Sequence, residues 1–159
     1  MQIVVNMSDM KLSTRASDVL ATFSLGSCIA VALFDPEIPV GGLIHCMLPA
    51  SGIDLIRSAN NPFMFVDAGL AAMVEALEQH GARRERIVAH AAGAGHLLGG
   101  HSTYRIGDRN REALDMAFRR MGLTLRAEDT GGTVARSMEL HLETGKVFVT
   151  AGGIRRELS

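Results

Sequence analysis

The sequence predicts a mixed α/β fold of the α+β kind, with layered, sandwich-like β-sheets and flanking helices. Three observations carry this expectation. Only two segments have a sustained helical stripe of apolar residues. The remaining apolar runs are short and bounded by turn residues. Strands fall before, between and after the two helices, which argues against a doubly wound parallel sheet. The length of 159 residues suits a single domain spanning residues 1–159. With 47% apolar and 21% charged residues, the chain can bury a sizeable core.

The first helix is expected from Pro62 to His80. Asn61 can cap it, Pro62 suits the first helical position, and Gly81 suits the stop. Val66, Leu70, Met73, Val74 and Leu77 share one face. The second is expected from Arg109 to Met121, with Asp108 as cap, Gly122 as stop, and Leu114, Ala117, Phe118 and Met121 as its stripe. Strands are expected at Gln2–Asn6, Leu20–Leu25, Cys28–Phe34, Leu43–Leu48, Ile87–Ala91, Leu123–Ala127, Thr133–Leu142 and Lys146–Thr150. Met138, Leu140 and Leu142 alternate with Glu139 and His141, as one buried and one wet face require. Glu143 to Lys146 reads as a hairpin turn, and Asp54–Asn61 and Ala92–Gly100 read as loops.

A net charge of −1 offers no basic excess for nucleic acid or an anionic membrane. The N-terminus lacks the basic start and long apolar stretch of a signal peptide. Val66–Leu77 carries Asp67 and Glu75, and is shorter than the roughly 20 apolar residues needed to span a bilayer. The expectation is a cytoplasmic protein with no membrane insertion. Its two cysteines do not form a disulfide framework in such a compartment, and reactive, metal-binding and core roles stay open for them.

The informative stretch runs from Thr22 through Gly26, Ser27 and Cys28, across a turn with Pro36, Pro39, Gly41 and Gly42, to His45 and Cys46. The segments on either side of the turn are expected to pair as an antiparallel hairpin. If Phe34 lies opposite Gly41, Cys28 faces Met47 and His45 lies one diagonal step away on the same face. Such neighbours are about 7–8 Å apart at the backbone, within reach of a thiol and an imidazole. Cys46 then points to the other face, and a one-residue slip would reverse the choice.

An imidazole beside Cys28 can take the thiol proton and later give it to a departing amine. Gly26 and Ser27 allow a tight turn whose backbone N–H groups face an oxyanion. Thr22 or Ser27 can orient the imidazole or a substrate amide. From spacing alone, inert core thiols are the commoner arrangement, and His45 could equally be a hydrogen-bonded core histidine.

At these residues the sequence resembles the chemoreceptor glutamine deamidase family, CheD. The resemblance rests on Thr22, Leu25-Gly26-Ser27-Cys28, Asp35-Pro36, Gly41-Gly42, His45 and Met47-Leu48-Pro49. It continues at Gly81-Ala82, Ile106-Gly107-Asp108-Arg109-Asn110, Glu128-Asp129-Thr130-Gly131-Gly132 and Arg136. It implies a cysteine hydrolase that converts glutamines of methyl-accepting chemotaxis receptors to glutamates, with Cys28, His45 and Thr22 as the catalytic set. It also implies two sheets with flanking helices, related to deamidating toxins, and in some members binding to a CheC phosphatase or weak esterase action. Ser24 replaces the first glycine of the family's usual Gly-Leu-Gly. In the middle block, usually Ala-Lys-apolar-Phe-Gly-Gly-Ala, His90, Ala92 and Ala94 stand for a lysine, a phenylalanine and a glycine. In the late block, usually Gly-Gly-x-x-Gly-Arg, Ala135 stands for the last glycine before Arg136.

No cofactor or metal is expected. His90, His96 and His101 fit no zinc spacing and are expected to be incidental. Arg109 and Asn110, after Ile106-Gly107, could line the cleft or bind a carboxylate, but helix capping by Asp108 or Asn110 is the expectation. Asp129 and Arg136 are expected to pair across the Gly131-Gly132 turn. Two other readings follow from the same residues. One is a non-catalytic, deamidase-like module that regulates a CheC-type phosphatase by docking. The other is a protease or transglutaminase-like enzyme, which calls for an Asn or Asp orienting His45.

Overall fold

The computed structural model describes residues 1–97 and 105–159. Among these residues, ten strands form two five-stranded sheets. One has the order β1 (Gln2–Val4), β3 (Val19–Leu25), β8 (Arg136–His141), β9 (Val147–Ala151) and β10 (Ile154–Leu158). The other has β2 (Asp9–Ser13), β5 (Val40–Cys46), β4 (Ile29–Asp35), β6 (Val88–Gly93) and β7 (Leu125–Thr130). Among the described residues there are three α-helices: α1 (Leu55–Asn60), α2 (Val66–Gln79) and α3 (Ile106–Met121). The layered α+β expectation holds.

The alternation of side chains along β4 separates two cores. Ala30, Ala32 and Phe34 face the other sheet and join Leu20, Leu43, Met138, Leu140, Val147 and Val149 between the sheets. Ile29, Val31 and Leu33 face the helices and join Ile44, Cys46, Leu70, Met73, Leu77, Leu114 and Phe118. Each fully buried Leu, Ile or Phe contributes roughly 1.5–3 kcal/mol. The layers are therefore sheet, sheet, helices, with β4 and β5 buried on both faces. β6 and β7 pair in parallel, and α3 makes the crossover between them.

Several boundaries depart from expectation. Asp54–Asn61 is not a loop. Asp54 caps a short helix by accepting a hydrogen bond from the Arg57 backbone, which the exposed Leu55 and Ile56 concealed by offering no buried stripe. Asn61 caps only a single 3-10 turn over Pro62–Met64, and α2 itself begins at Val66. α3 starts at Ile106, so Asp108 lies inside the first turn and binds Arg105 and His96 instead of capping. β6 runs on to Gly93, two residues into the expected loop, and residues 98–100 of that loop lie outside the described residues.

Two strands go unanticipated. β2 and β10 are sheet edges, and β10 is almost wholly exposed and rich in charge, so neither shows an apolar run. Gly152 and Gly153, both at positive φ, form the tight turn that returns β9 into β10. Three more strands shift in bounds: β5 is Val40–Cys46 where Leu43–Leu48 was expected, β7 is Leu125–Thr130 for Leu123–Ala127, and β8 is Arg136–His141 for Thr133–Leu142. Other features agree. Gly81 and Gly122 end their helices at positive φ, Glu143–Lys146 turns β8 into β9, and Met138 and Leu140 face inward on β8.

Candidate active site

The chain crosses from one sheet to the other between Leu25, at the end of β3, and Ile29, at the start of β4. The crossing is the Gly26-Ser27-Cys28 segment. The β4–β5 register pairs Phe34 with Gly41 and Ala30 with His45, and one more step sets Cys28 opposite Met47. The hairpin parity expected from sequence is thus observed. Cys28 packs with the inter-sheet core, while Cys46 is wholly buried among residues facing the helices.

Thr22 on β3 and His45 on β5 come from different sheets and meet between them, both out of contact with solvent. Thr22 Oγ1 donates to the Val5 carbonyl at 2.7 Å and lies 2.8 Å from His45 Nδ1. A hydroxyl has one proton, and a carbonyl can only accept. With that proton committed to Val5, Nδ1 must carry a hydrogen and donate it to Thr22 Oγ1. In the neutral imidazole, Nε2 then holds the free lone pair. Nε2 is buried and has no hydrogen-bond partner among the described residues, the Cys28 thiol included. The resting site is therefore a neutral base of fixed tautomer beside an unactivated thiol.

Burial governs the ionisation of both groups. It pushes the Cys28 thiol above its ordinary value, and the residue's own backbone amide only partly offsets this. It lowers the pKa of His45, keeping the imidazole neutral. Cys46 is driven much further up, by burial first and then by the Cys28 and Asp67 charges, so it cannot serve as a thiolate near neutral pH.

All three carbonyls of the crossing are held from behind. Gly95 N–H donates to Gly26 at 2.8 Å, Asn110 Nδ2 to Ser27 at 2.9 Å, and Ala94 N–H to Cys28 at 2.7 Å. Gly93 lies at φ +105°, where a side chain would collide with the Cys28 carbonyl, so only glycine lets the end of β6 back this loop. Two family glycines replaced in this chain also fall at left-handed positions. Ser24 has φ +60° at the irregularity where β3 shifts register against β8, and Ala94 has φ +52°. The alanine at Ala92, in place of the family's phenylalanine, faces the core between the sheets.

Other candidates disperse. His96 bonds Asp108 at 2.7 Å, His90 lies between Ala89 and Ala91 on β6, and His101 is outside the described residues. Among the described residues no three His, Cys, Asp or Glu side chains converge as metal ligands. Arg136 is buried, donates to the Gly93 carbonyl at 3.2 Å, and pairs with Asp129 at 3.2 Å, as expected. Asn110 carries more than the helix-start role expected of it. Its side chain is wholly buried against the crossing, and only the position after Ile106-Gly107 hinted at this. No described helix is long and apolar enough to cross a membrane.

The family model described as CheD chemotactic sensory transduction matches residues 47–151. The chain is 38% identical over 157 residues to a probable chemoreceptor glutamine deamidase CheD of Solibacter usitatus, covering 99% of this chain and 93% of the relative. It is 38% identical to a CheD 1 protein of Syntrophus aciditrophicus, described in the same words, over 98% of both chains. It is also 39% identical to the chemoreceptor glutamine deamidase CheD of Thermotoga maritima, covering 88% of this chain and 87% of that one. With the family model matched over most of the chain and these relatives covered over nearly their whole length, the chain belongs to the CheD family.

Proposed function

We propose that this protein is a cysteine-dependent protein-glutamine deamidase that converts glutamine side chains of methyl-accepting chemotaxis receptors to glutamates. The observation that carries the reading is the Val5–Thr22–His45 chain, which leaves the Nε2 lone pair free on the face that Cys28 shares. The names of the relatives supply the substrate class.

When a glutamine carboxamide enters, Nε2 takes the Cys28 proton and Sγ attacks the amide carbon. Thiol and imidazole close up at this stage, as catalytic contacts often tighten only around substrate. The C=O pair moves to oxygen, and the N–H groups of Ser27 and Cys28 are the candidate donors to that oxyanion, since the carbonyls of the loop are engaged behind it. Imidazolium returns the proton to nitrogen, the C–N bond breaks, and ammonia leaves a thioester. Nε2 then takes a proton from water, hydroxide attacks the thioester, the C–S bond breaks, the imidazolium proton passes to the departing sulfur, and the new carboxyl releases its proton to solvent. Glutamate and the Cys28 thiol result. Thr22 accepts from Nδ1–H throughout and supports the imidazolium. The chemistry calls on no cofactor or metal. It is assigned to the cytoplasm, the reducing compartment in which a free thiol persists.

The test is incubation with a receptor cytoplasmic fragment, reading ammonia release and the mass gain of glutamine becoming glutamate. Deamidation is expected. No deamidation of any receptor, together with tight binding to a CheC-type phosphatase, would instead favour the docking module.

A further inference from the structure

We infer that Asn110 is a positioning residue that ties the nucleophile loop to the strand bearing the base, and so sets the gap between Cys28 and His45. The inference rests on the deamidase reading above for its reaction but not for its geometry. Asn110 is fully buried in the first turns of α3. Its Nδ2 donates to two carbonyls at once, Ser27 at 2.9 Å and Met47 at 3.1 Å. Ser27 immediately precedes the nucleophile, and Met47 lies two residues beyond His45, opposite Cys28 in the extended hairpin register.

Both partners are carbonyl oxygens, so the amide orientation follows from chemistry: nitrogen faces the two strands, and Oδ1 is left over. Oδ1 is buried without a partner among the described residues. That arrangement spends an unpaired acceptor to keep two donors aimed at the catalytic loop, where a helix-start role would need neither donor so directed.

The clamp has a rigid backing. A side chain on Gly107 would meet the Ala94 carbonyl at 2.7 Å, so the first turn of α3 packs directly on the residues whose N–H groups hold the Gly26 and Cys28 carbonyls. Thiol and imidazole share no hydrogen bond at rest, so closure between them has to move the two segments that Asn110 bonds at once. Only the amide can do this. Aspartate has the same shape but presents oxygen to both carbonyls.

The test compares the full-length wild type, Asn110→Asp and Gly107→Ala, the second displacing α3 with Asn110 intact. Two readouts are taken: kcat and KM for receptor-fragment deamidation, and the Cys28 Sγ–His45 Nε2 separation in crystal structures of the three chains. Both variants are expected to lose about ten- to a hundredfold in kcat, as for reacting groups misplaced by roughly 1 Å, with KM little changed and the separation widened by about that much. A wild-type separation and kcat in Asn110→Asp would overturn the inference. So would a variant chain that no longer folds, which would assign Asn110 to the fold alone. If the wild type deamidates no receptor, the functional reading fails, and the separation still decides the role of Asn110.

Discussion

Replacing Thr22 by valine keeps the shape of the side chain and removes one oxygen. Among the described residues, that oxygen is the only group bonded to His45 Nδ1, so the change isolates its effect on the tautomer. Thr22 sits between the Val5 carbonyl at 2.7 Å and His45 Nδ1 at 2.8 Å, with no exposure to water that could replace it. The hydrogen bond matters most when the imidazole is charged, as it is while the leaving nitrogen is being protonated. A hydrogen bond to a charged group is worth about 1.5–3 kcal/mol. At about 1.36 kcal/mol per tenfold in rate, kcat should fall about 10- to 150-fold. Orphaning the Val5 carbonyl and Nδ1–H should also cost about 1–3 kcal/mol of stability. Thr22→Ser keeps the oxygen and should retain most of the activity. The assay is ammonia release from a receptor fragment at saturating substrate, alongside urea unfolding of each variant. Wild-type kcat in Thr22→Val would refute the tautomer argument, since nothing else in the described structure could then hold Nδ1.

Other consequences are open to direct measurement. Ser24→Gly and Ala94→Gly each relieve a left-handed residue costing about 1–2 kcal/mol, partly offset by the roughly 0.5–1 kcal/mol of chain freedom that glycine brings, so each should raise the urea midpoint modestly. Cys46→Ala should leave deamidation intact and cost about 1 kcal/mol, the usual loss for a core substitution, as read by thermal unfolding. Burial holds the His45 pKa below its ordinary 6.5, so the base stays free at neutral pH and kcat should fall only as pH drops through that lowered value. Loss of kcat already as pH falls from 8 to 6.5 would contradict a base held below its ordinary value. At Asp35, burial opposes ionisation, but the Arg86 side chain and the Arg83 and Glu37 backbone amides outweigh it and hold the carboxyl below 3.8. Its stabilisation is therefore full above that value and lost as pH falls through the lower folded one, and Asp35→Asn should flatten this part of the acid-unfolding curve.

The hairpin bearing the candidate site was legible in the sequence because β4 and β5 are short, apolar and joined by a proline- and glycine-marked turn, so parity alone separated Cys28 from Cys46. The contact of Thr22 with His45 was not legible from spacing. It joins strands of different sheets; hydroxyl chemistry left Thr22 and Ser27 both open as partners of the imidazole, and only the family resemblance singled out Thr22. The tautomer was hidden too, because it depends on the Val5 carbonyl, which any residue would supply. Asn110 was misjudged for a similar reason. Its position near a helix start suited a cap, whereas its partners are backbone oxygens 63 and 83 residues away. Edge strands β2 and β10 escaped because one-sided pairing needs no apolar run, although the Gly152-Gly153 turn could have revealed the second.

The central claim is that Cys28, and not Cys46, carries the acyl group of a receptor glutamine. The most direct measurement is intact-protein mass spectrometry of the enzyme, quenched in acid during turnover of a receptor fragment. An adduct of the fragment less ammonia should appear on the wild type and on Cys46→Ala and be released by hydroxylamine, and it should be absent from Cys28→Ala, which should also form no glutamate. Glutamate formation by Cys28→Ala at the wild-type rate would contradict the account.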